Sequence, residues 1–279
     1  MPLKGSLTTL LLRGLLAGLI AGMLAATVGF FIGEPKVEAA IAIEEAGSAT
    51  EPAESADGHS HGAEASSGGH SHQAEAPSGG HSHGGEEPMV SRTGQKFGQF
   101  LALGLAGLAF GAIYASVVHI ARRYTTLSGP RLALAVGAAC WAAIVAVPFF
   151  KYPANPPAVG DPDTINERTL LWLVAILLGI VAVAAAIAAA TALRAQLPTV
   201  RLIGGVAAFI LVTTLGYILL PGVNEVGADF PATLLWEFRV ASLAQTTTLW
   251  VCLALGFAAL TEFATRTDTP VPATAATTS

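Results

Sequence analysis

Charged side chains are scarce in this sequence of 279 residues. Lys, Arg, Asp and Glu together make up 12% of it, about half of their share in an average soluble domain. Apolar residues make up 53%, and the mean hydropathy is +0.60. Too few polar side chains remain to cover the surface of a soluble protein of this size. The scarcity of charge therefore predicts a membrane protein.

Charge is also absent from the middle of six long apolar runs. A membrane-crossing helix needs about 20 such residues. The first run, from Gly14 to Ile32, is longer than the apolar part of a signal peptide, so we expect a retained anchor and not a cleaved leader. The sequence predicts an all-α polytopic integral membrane protein with about six transmembrane helices, at residues 13–32, 97–121, 132–150, 169–193, 202–220 and 240–262.

Cysteine is nearly absent, and both copies, Cys140 and Cys252, fall in the middle of predicted membrane helices. This position excludes a disulfide framework and a CxxC metal site. The sequence has no phosphate-binding P-loop, nucleophile elbow or H-E-x-x-H motif, so we expect no enzyme activity and no bound organic cofactor. A net charge of −5 and a pI near 5.8 give no basis for nucleic-acid binding.

Histidine, in contrast, is concentrated in one segment. Six of the seven histidines lie in three Gly-His-Ser-His units that begin at Gly58, Gly69 and Gly80. In an extended chain residues i and i+2 project to the same side, so each unit offers two imidazoles together. Imidazole is a good ligand for Co²⁺, Ni²⁺ and Zn²⁺. An inert polar linker is the alternative, but the regular repeat favours metal ligands at His59, His61, His70, His72, His81 and His83.

The segment around these histidines, residues 33–96, has no apolar periodicity and is rich in Ala, Gly, Ser, Glu and Pro. This composition predicts a disordered acidic loop. The short segments 122–131 and 194–201 are basic and contain no acid, which places them in the cytoplasm by the positive-inside rule. All of the 19 acidic residues except Glu262 and Asp268 then lie outside.

This orientation divides the chain into four parts. Residues 1–32 form the cytoplasmic amino terminus and the first helix, and residues 33–96 form the outer histidine-rich loop. Residues 97–263 form the helical bundle, and residues 264–279 form a disordered cytoplasmic tail. We expect a multi-pass protein of the bacterial inner membrane with both termini in the cytoplasm.

Two shorter outer loops have a different character. Residues 151–168 are rich in proline, which predicts a stiff connector, and we expect Asp163 or Thr164 to cap the following helix. Residues 221–239 repeat the order asparagine, glycine, aspartate, proline and an acid near an arginine, which suggests a duplicated helix pair. The acids of the two loops predict an outer mouth for cations, formed by Asp161, Asp163, Glu167, Asp229 and Glu237.

Two stretches of the chain resemble the proposed cobalt transporter subunit family CbtA. One is the run from Lys151 to Thr169, and the other joins residues 228–231 with residues 234–242. A Gly- and Leu-rich first helix ahead of a histidine-rich loop adds to the resemblance. The resemblance implies cobalt as the metal, a link to cobalamin metabolism and a small histidine-rich partner subunit, CbtB. The family is usually described with about five spans, so the sixth predicted helix departs from it.

These features predict a membrane subunit for uptake of a divalent transition metal, most simply Co²⁺, with Ni²⁺ or Zn²⁺ as alternatives. The outer histidines would make the first contact with the ion. Carboxylates inside the membrane commonly carry the driving protons of pumps, and the six apolar runs have none at their centres. We therefore do not expect this chain to energise transport alone. The alternative is a non-transporting membrane protein that binds or senses metal, or that holds another subunit.

Overall fold

A computed structural model describes residues 3, 5–48 and 91–267, with only the backbone given at 47–48 and 265–267. Every regular element in these residues is helical. The helices are α1 (Leu7–Val28), α2 (Glu34–Ser48), α3 (Arg92–Ala121), α4 (Gly129–Trp141), α5 (Val147–Lys151), α6 (Ile165–Ala192), α7 (Pro198–Leu219) and α8 (Ala232–Thr267). All six predicted histidine ligands, and the tail from residue 268, lie outside the described residues.

Two π-helical turns and one 3₁₀ turn join these helices into longer rods. Gly29–Gly33 connects α1 to α2, Ala142–Ala146 connects α4 to α5, and Pro162–Thr164 leads into α6. The result is six helices that are long and apolar enough to cross a membrane. The sequence prediction of six helices of membrane length is confirmed. Four of the six predicted runs lie inside these helices, and the runs 169–193 and 202–220 each extend one residue past the end of their helix.

The segment 33–96, predicted to be a disordered loop, is helical at both of its ends. The first helix does not stop at residue 32 but continues to Ser48, and α3 begins at Arg92. Residues 34–48 consist largely of alanine and glutamate, which are strong helix formers. They lack a long apolar run, and for this reason hydropathy alone did not mark them as part of the helix.

The helices pack in a simple order. In the described chain α1 packs against α3 and α8, α8 packs against α4, the turn at Ala142–Ala146 packs against α6, and α6 packs against α7. The best-buried side chains lie among α1, α3, α4 and α8, and include Leu10, Tyr114, Leu253 and Phe257. In α7 only Gly205 is buried, so most of this helix presents apolar side chains outward.

Small residues allow α1 and α3 to approach closely. A Cβ atom added at Gly18 would lie 2.0 Å from the carbonyl oxygen of Gly107, and one added at Gly14 would lie 2.3 Å from that of Gly111. The glycines spaced four apart therefore serve helix packing, as is common between helices in lipid.

Pro148 explains the irregularity in the third span. A proline cannot donate a backbone hydrogen bond and clashes with the carbonyl one turn earlier. The chain accommodates it with the π-helical turn, in which the N–H of Val147 donates to the carbonyl of Ala142. The helical hydrogen-bond pattern of the third span is therefore irregular just before this proline.

Candidate functional site

Residues 34–48 lie at the same end of the bundle as the two shorter loops, 151–168 and 221–239. The rod of α1 and α2 has 40 residues up to Ala46, so it is about 60 Å long, about twice the thickness of the hydrocarbon core. Its outer part therefore projects beyond the apolar layer. We call α2 together with residues 92–99 of α3 the outer stalk.

Ion pairs join the two helices of the outer stalk. Arg92 lies 2.5 Å from the Glu34 carboxylate, and Lys96 lies 2.5 Å from that of Glu38. A third pair, between Lys36 and Glu237, connects the stalk to the beginning of α8. Single exposed pairs contribute little stability, but a network with shared partners orders its side chains at lower entropic cost. The two ends of the histidine-bearing segment, at residues 48 and 91, therefore emerge on one side of the bundle.

The 3₁₀ turn that opens α6 is capped by a residue other than the two predicted from sequence. The Asp161 side chain accepts a 2.9 Å hydrogen bond from the N–H of Asp163. Thr164 occupies the N-cap position of α6, but its side chain makes no capping bond. Its hydroxyl bonds instead to the carbonyl of Asp161 and to a carboxylate of the other loop, Glu225.

Glu225 joins the two outer loops, and sequence reasoning missed it. Its carboxylate accepts a 2.6 Å hydrogen bond from the Thr164 hydroxyl and a 3.1 Å bond from the N–H of Asp161, and it lies 3.1 Å from Arg168. The bond from Thr164, with those from Asp161 and the charge of Arg168, holds the pKa of Glu225 below its usual value, although partial burial opposes the shift. The acid near an arginine that both loops share indicated an ion pair in this region. The pair that forms, however, joins Arg168 of the first loop to Glu225 of the second.

The five acids predicted to form a mouth include no group of three or more that could hold a metal ion together. Asp161, Asp163, Glu167 and Asp229 are exposed and have no ion-pair partner among the described residues, while Glu237 pairs with Lys36. No group of three or more His, Cys, Asp or Glu side chains that could hold a metal ion occurs in the described part of the chain. A metal site built from several such side chains would have to include residues outside the described ranges or on another chain.

A cleft of about 720 Å³ lies between the two outer loops and the first turns of α6 and α8. None of the five predicted acids lines it. We call it the outer cleft. Its lining is mixed and includes the polar residues Asn155, Arg168, Thr169, Asn224, Glu225 and Arg239, and the apolar residues Val159, Ile165, Trp172 and Leu235.

Arg239 connects the beginning of α8 to the first loop at the edge of the cleft. It donates a 2.9 Å hydrogen bond to the Asn155 side-chain oxygen and a longer one to the carbonyl of Ala154. Further bonds connect the same loop to the end of α7, because Lys151 donates to the carbonyl of Tyr217 and the Tyr152 hydroxyl donates to that of Pro221. The proline-rich connector is thus held on both sides, which agrees with the stiffness predicted for it.

A family model described as a probable cobalt transporter subunit (CbtA) matches residues 7–262. The chain belongs to the CbtA family. The match includes all of the outer cleft and both loops on which the resemblance was based. The CbtA description of a subunit implies partner subunits, and the six long apolar helices make this CbtA chain a multi-pass membrane protein. No curated protein and no solved structure matches the sequence.

Proposed function

We propose that this chain is the membrane subunit of an uptake system for Co²⁺, and that its histidine-rich segment captures the ion at the outer surface. The observation that carries the proposal is the outer stalk. Ion pairs hold α2 against α3 and against α8, so the segment of residues 49–90 begins and ends at the same end of the bundle as the outer loops. An ion bound by His59, His61, His70, His72, His81 or His83 would be kept near the bundle.

The proposed orientation rests on charge. At the opposite end of the bundle from the stalk, the turns after α3 and α6 carry Arg122, Arg123 and Arg194. Short basic loops remain in the cytoplasm. The stalk and the histidines then face outward from the bacterial inner membrane, and both termini lie inside.

The exposed acids would assist capture through their field and not through a coordination cage. Asp161, Asp163, Glu167 and Asp229 carry negative charge at the outer rim without an ion-pair partner in the described residues. Such charges raise the local concentration of divalent cations, an effect that weakens with salt. Replacing these four acids by asparagine or glutamine should reduce uptake at low ionic strength. The same replacement at Glu237 acts through the stalk, because it removes the partner of Lys36.

A second function, a scaffold that binds metal or a partner without transporting, is favoured by one observation. The described helices contain no group of three or more His, Cys, Asp or Glu side chains that could hold a metal ion on its way through the bundle. In a scaffold, the helices would hold a small histidine-rich partner subunit similar to CbtB. That partner would supply further ligands for the metal ion.

Accumulation of radioactive cobalt separates the two functions. It is measured in a metal-starved strain with the gene, without it, and with the gene plus that of the partner. A transport subunit raises the initial rate of accumulation, alone or with the partner. If neither combination changes that rate while the protein is present at normal level in the membrane, the chain is a scaffold and the uptake proposal fails.

A further inference from the structure

The outer cleft has the charge of an anion site and not of a cation mouth. Two guanidinium groups, of Arg168 and Arg239, line it, and Glu225 is the one carboxylate among its lining residues. The lining therefore carries one net positive charge. A free divalent cation would be repelled by this arrangement, whereas a carboxylate or phosphate group would be attracted.

Arg168 is held firmly in place. One of its terminal nitrogens lies 3.1 Å from the Glu225 carboxylate, and the other donates to the carbonyl of Asp161. Gly160, with a φ of +122°, packs so closely that an added Cβ would lie 2.4 Å from this guanidinium. The Arg168 Nε–H is buried and has no hydrogen-bond partner among the residues that the structure describes. The loop thus positions a guanidinium whose donors are not all used.

Arg239 has no carboxylate within ion-pair distance among the described residues. Its partners are a side-chain amide oxygen of Asn155 and the carbonyl of Ala154, both of them neutral. A guanidinium has five N–H donors in a planar fork, and these two contacts leave donors free for a ligand. A partly enclosed cation with neutral partners is a good receptor for an anionic oxygen, because a charge-assisted hydrogen bond is about twice as strong as a neutral one.

The rest of the cleft suits a small organic anion. Its volume of about 720 Å³ falls within the usual range for small-molecule sites. Asn224 and Thr169 offer neutral hydrogen-bonding groups, while Trp172 and Ile165 provide an apolar wall. We propose that the outer cleft binds a ligand bearing a carboxylate or phosphate group, with Arg239 and Arg168 as its cationic contacts. This site does not depend on the proposed capture of cobalt by the histidines.

Calorimetry on the purified full-length protein in detergent tests the proposal, with citrate and inorganic phosphate as probes at constant ionic strength. Arg239→Gln should weaken binding by about tenfold or more, since a hydrogen bond to a charged group is lost. Arg201→Gln is the matched control, because Arg201 also donates to a backbone carbonyl, that of Ala190, but at the other end of the bundle. It should leave binding unchanged. Glu225→Gln removes the competing carboxylate and should tighten binding, or at least not weaken it, at temperatures below the unfolding midpoint of this variant.

A second arm identifies the source of the anion. The same titrations are repeated in nanodiscs of phosphatidylcholine and of phosphatidylglycerol. Citrate binding that disappears in the anionic lipid, and only there, assigns the cleft to a lipid headgroup, and binding that is equal in both assigns it to a free anion. If neither probe binds in detergent and the Arg239→Gln protein shows the same preference for anionic lipid as the wild type, the proposal is overturned. Equal affinity in the Arg239→Gln and Arg201→Gln proteins overturns it as well.

Discussion

Lys36 in α2 forms an ion pair with Glu237 near the beginning of α8. These residues are far apart in the sequence, and their contact fixes the direction in which the outer stalk leaves the bundle. With the pairs of Arg92 and Lys96 it places both ends of the histidine-bearing segment over the outer face. The first contact of the proposed cobalt capture is thereby brought close to the membrane helices.

The first prediction concerns topology. In a protein with Cys140 and Cys252 replaced by alanine, Ser67→Cys should react with a membrane-impermeant maleimide in intact cells, because the proposed orientation places the histidine-rich segment outside. Thr126→Cys, in the exposed turn between α3 and α4, is the control and should react only after lysis. Protection of position 67 in intact cells would reverse the proposed orientation.

The second prediction concerns the histidine repeat alone. A peptide of residues 58–85 should bind Co²⁺, Ni²⁺ and Zn²⁺ with affinities in the micromolar range, measured by calorimetry. Binding should weaken as the pH falls below about 6.5, because protonated imidazole cannot bind a metal. The sequence predicts no rigid cage, so selectivity should be mild and follow the Irving–Williams order. A peptide with all six histidines replaced by serine is the control, and equal heats from both peptides would rule out these ligands.

Much of the fold could be predicted because an apolar run of membrane length has few alternatives to a helix. The outer surface could not be predicted as well. Glu34 and Glu38 find their partners in Arg92 and Lys96 only after the chain has folded back, so nothing local marks residues 34–48 as a stalk. Glu237 is close to Arg239 in the sequence, but its ion-pair partner is Lys36 of the distant helix α2.

The contacts of the candidate site also join residues that are distant in the sequence, so they could not be predicted from it. Glu225 was overlooked because its partners, Thr164 and Arg168, belong to another loop, and only the fold brings them together. The composition of the loops indicated an acidic mouth, whereas the cleft that they enclose is lined by two arginines. Counting charges along a loop cannot tell which of them face inward.

The third prediction tests the contact of α1 with α3. Gly18→Ala should destabilise the protein by about 1–3 kcal/mol, because the new Cβ would overlap the backbone carbonyl of Gly107 and the two helices must separate. Gly98→Ala is the matched control, because a Cβ there meets nothing within 4 Å. It should be neutral or stabilise α3 by up to about 1 kcal/mol. Unfolding in mixed detergent micelles, followed by circular dichroism, measures both, and equal stabilities would contradict the close packing.

The fourth prediction concerns the pH dependence of the contact between the outer loops. The pKa of Glu225 is lowered in the folded protein, so its ionised form contributes stability that is fully present above its ordinary pKa of 4.5. This contribution is lost as the pH falls through the lower pKa of the folded state. Glu225→Gln should therefore lower the unfolding midpoint at pH 7, and the difference from the wild type should shrink as the pH falls below about 4.5.

The control for this experiment is Glu167→Gln, since Glu167 is exposed and has no ion-pair partner in the described chain. Its midpoint should follow that of the wild type at every pH. A constant difference between wild type and Glu225→Gln from pH 7 to pH 3 would show that the carboxylate charge does not hold the loops together.

Capture of cobalt by the histidine-rich segment is tested most directly by the initial rate of cobalt uptake, measured as a function of external cobalt. The cells carry a variant in which all six histidines of the repeat are replaced by serine. Ser60, Ser71 and Ser82 replaced by alanine provide the control, because this variant keeps every imidazole. Capture at the outer surface raises the local concentration of the ion, so the histidine variant should lose most of its uptake at low external cobalt and recover the wild-type rate at high cobalt. Uptake identical to that of the control at all concentrations would contradict capture by these histidines.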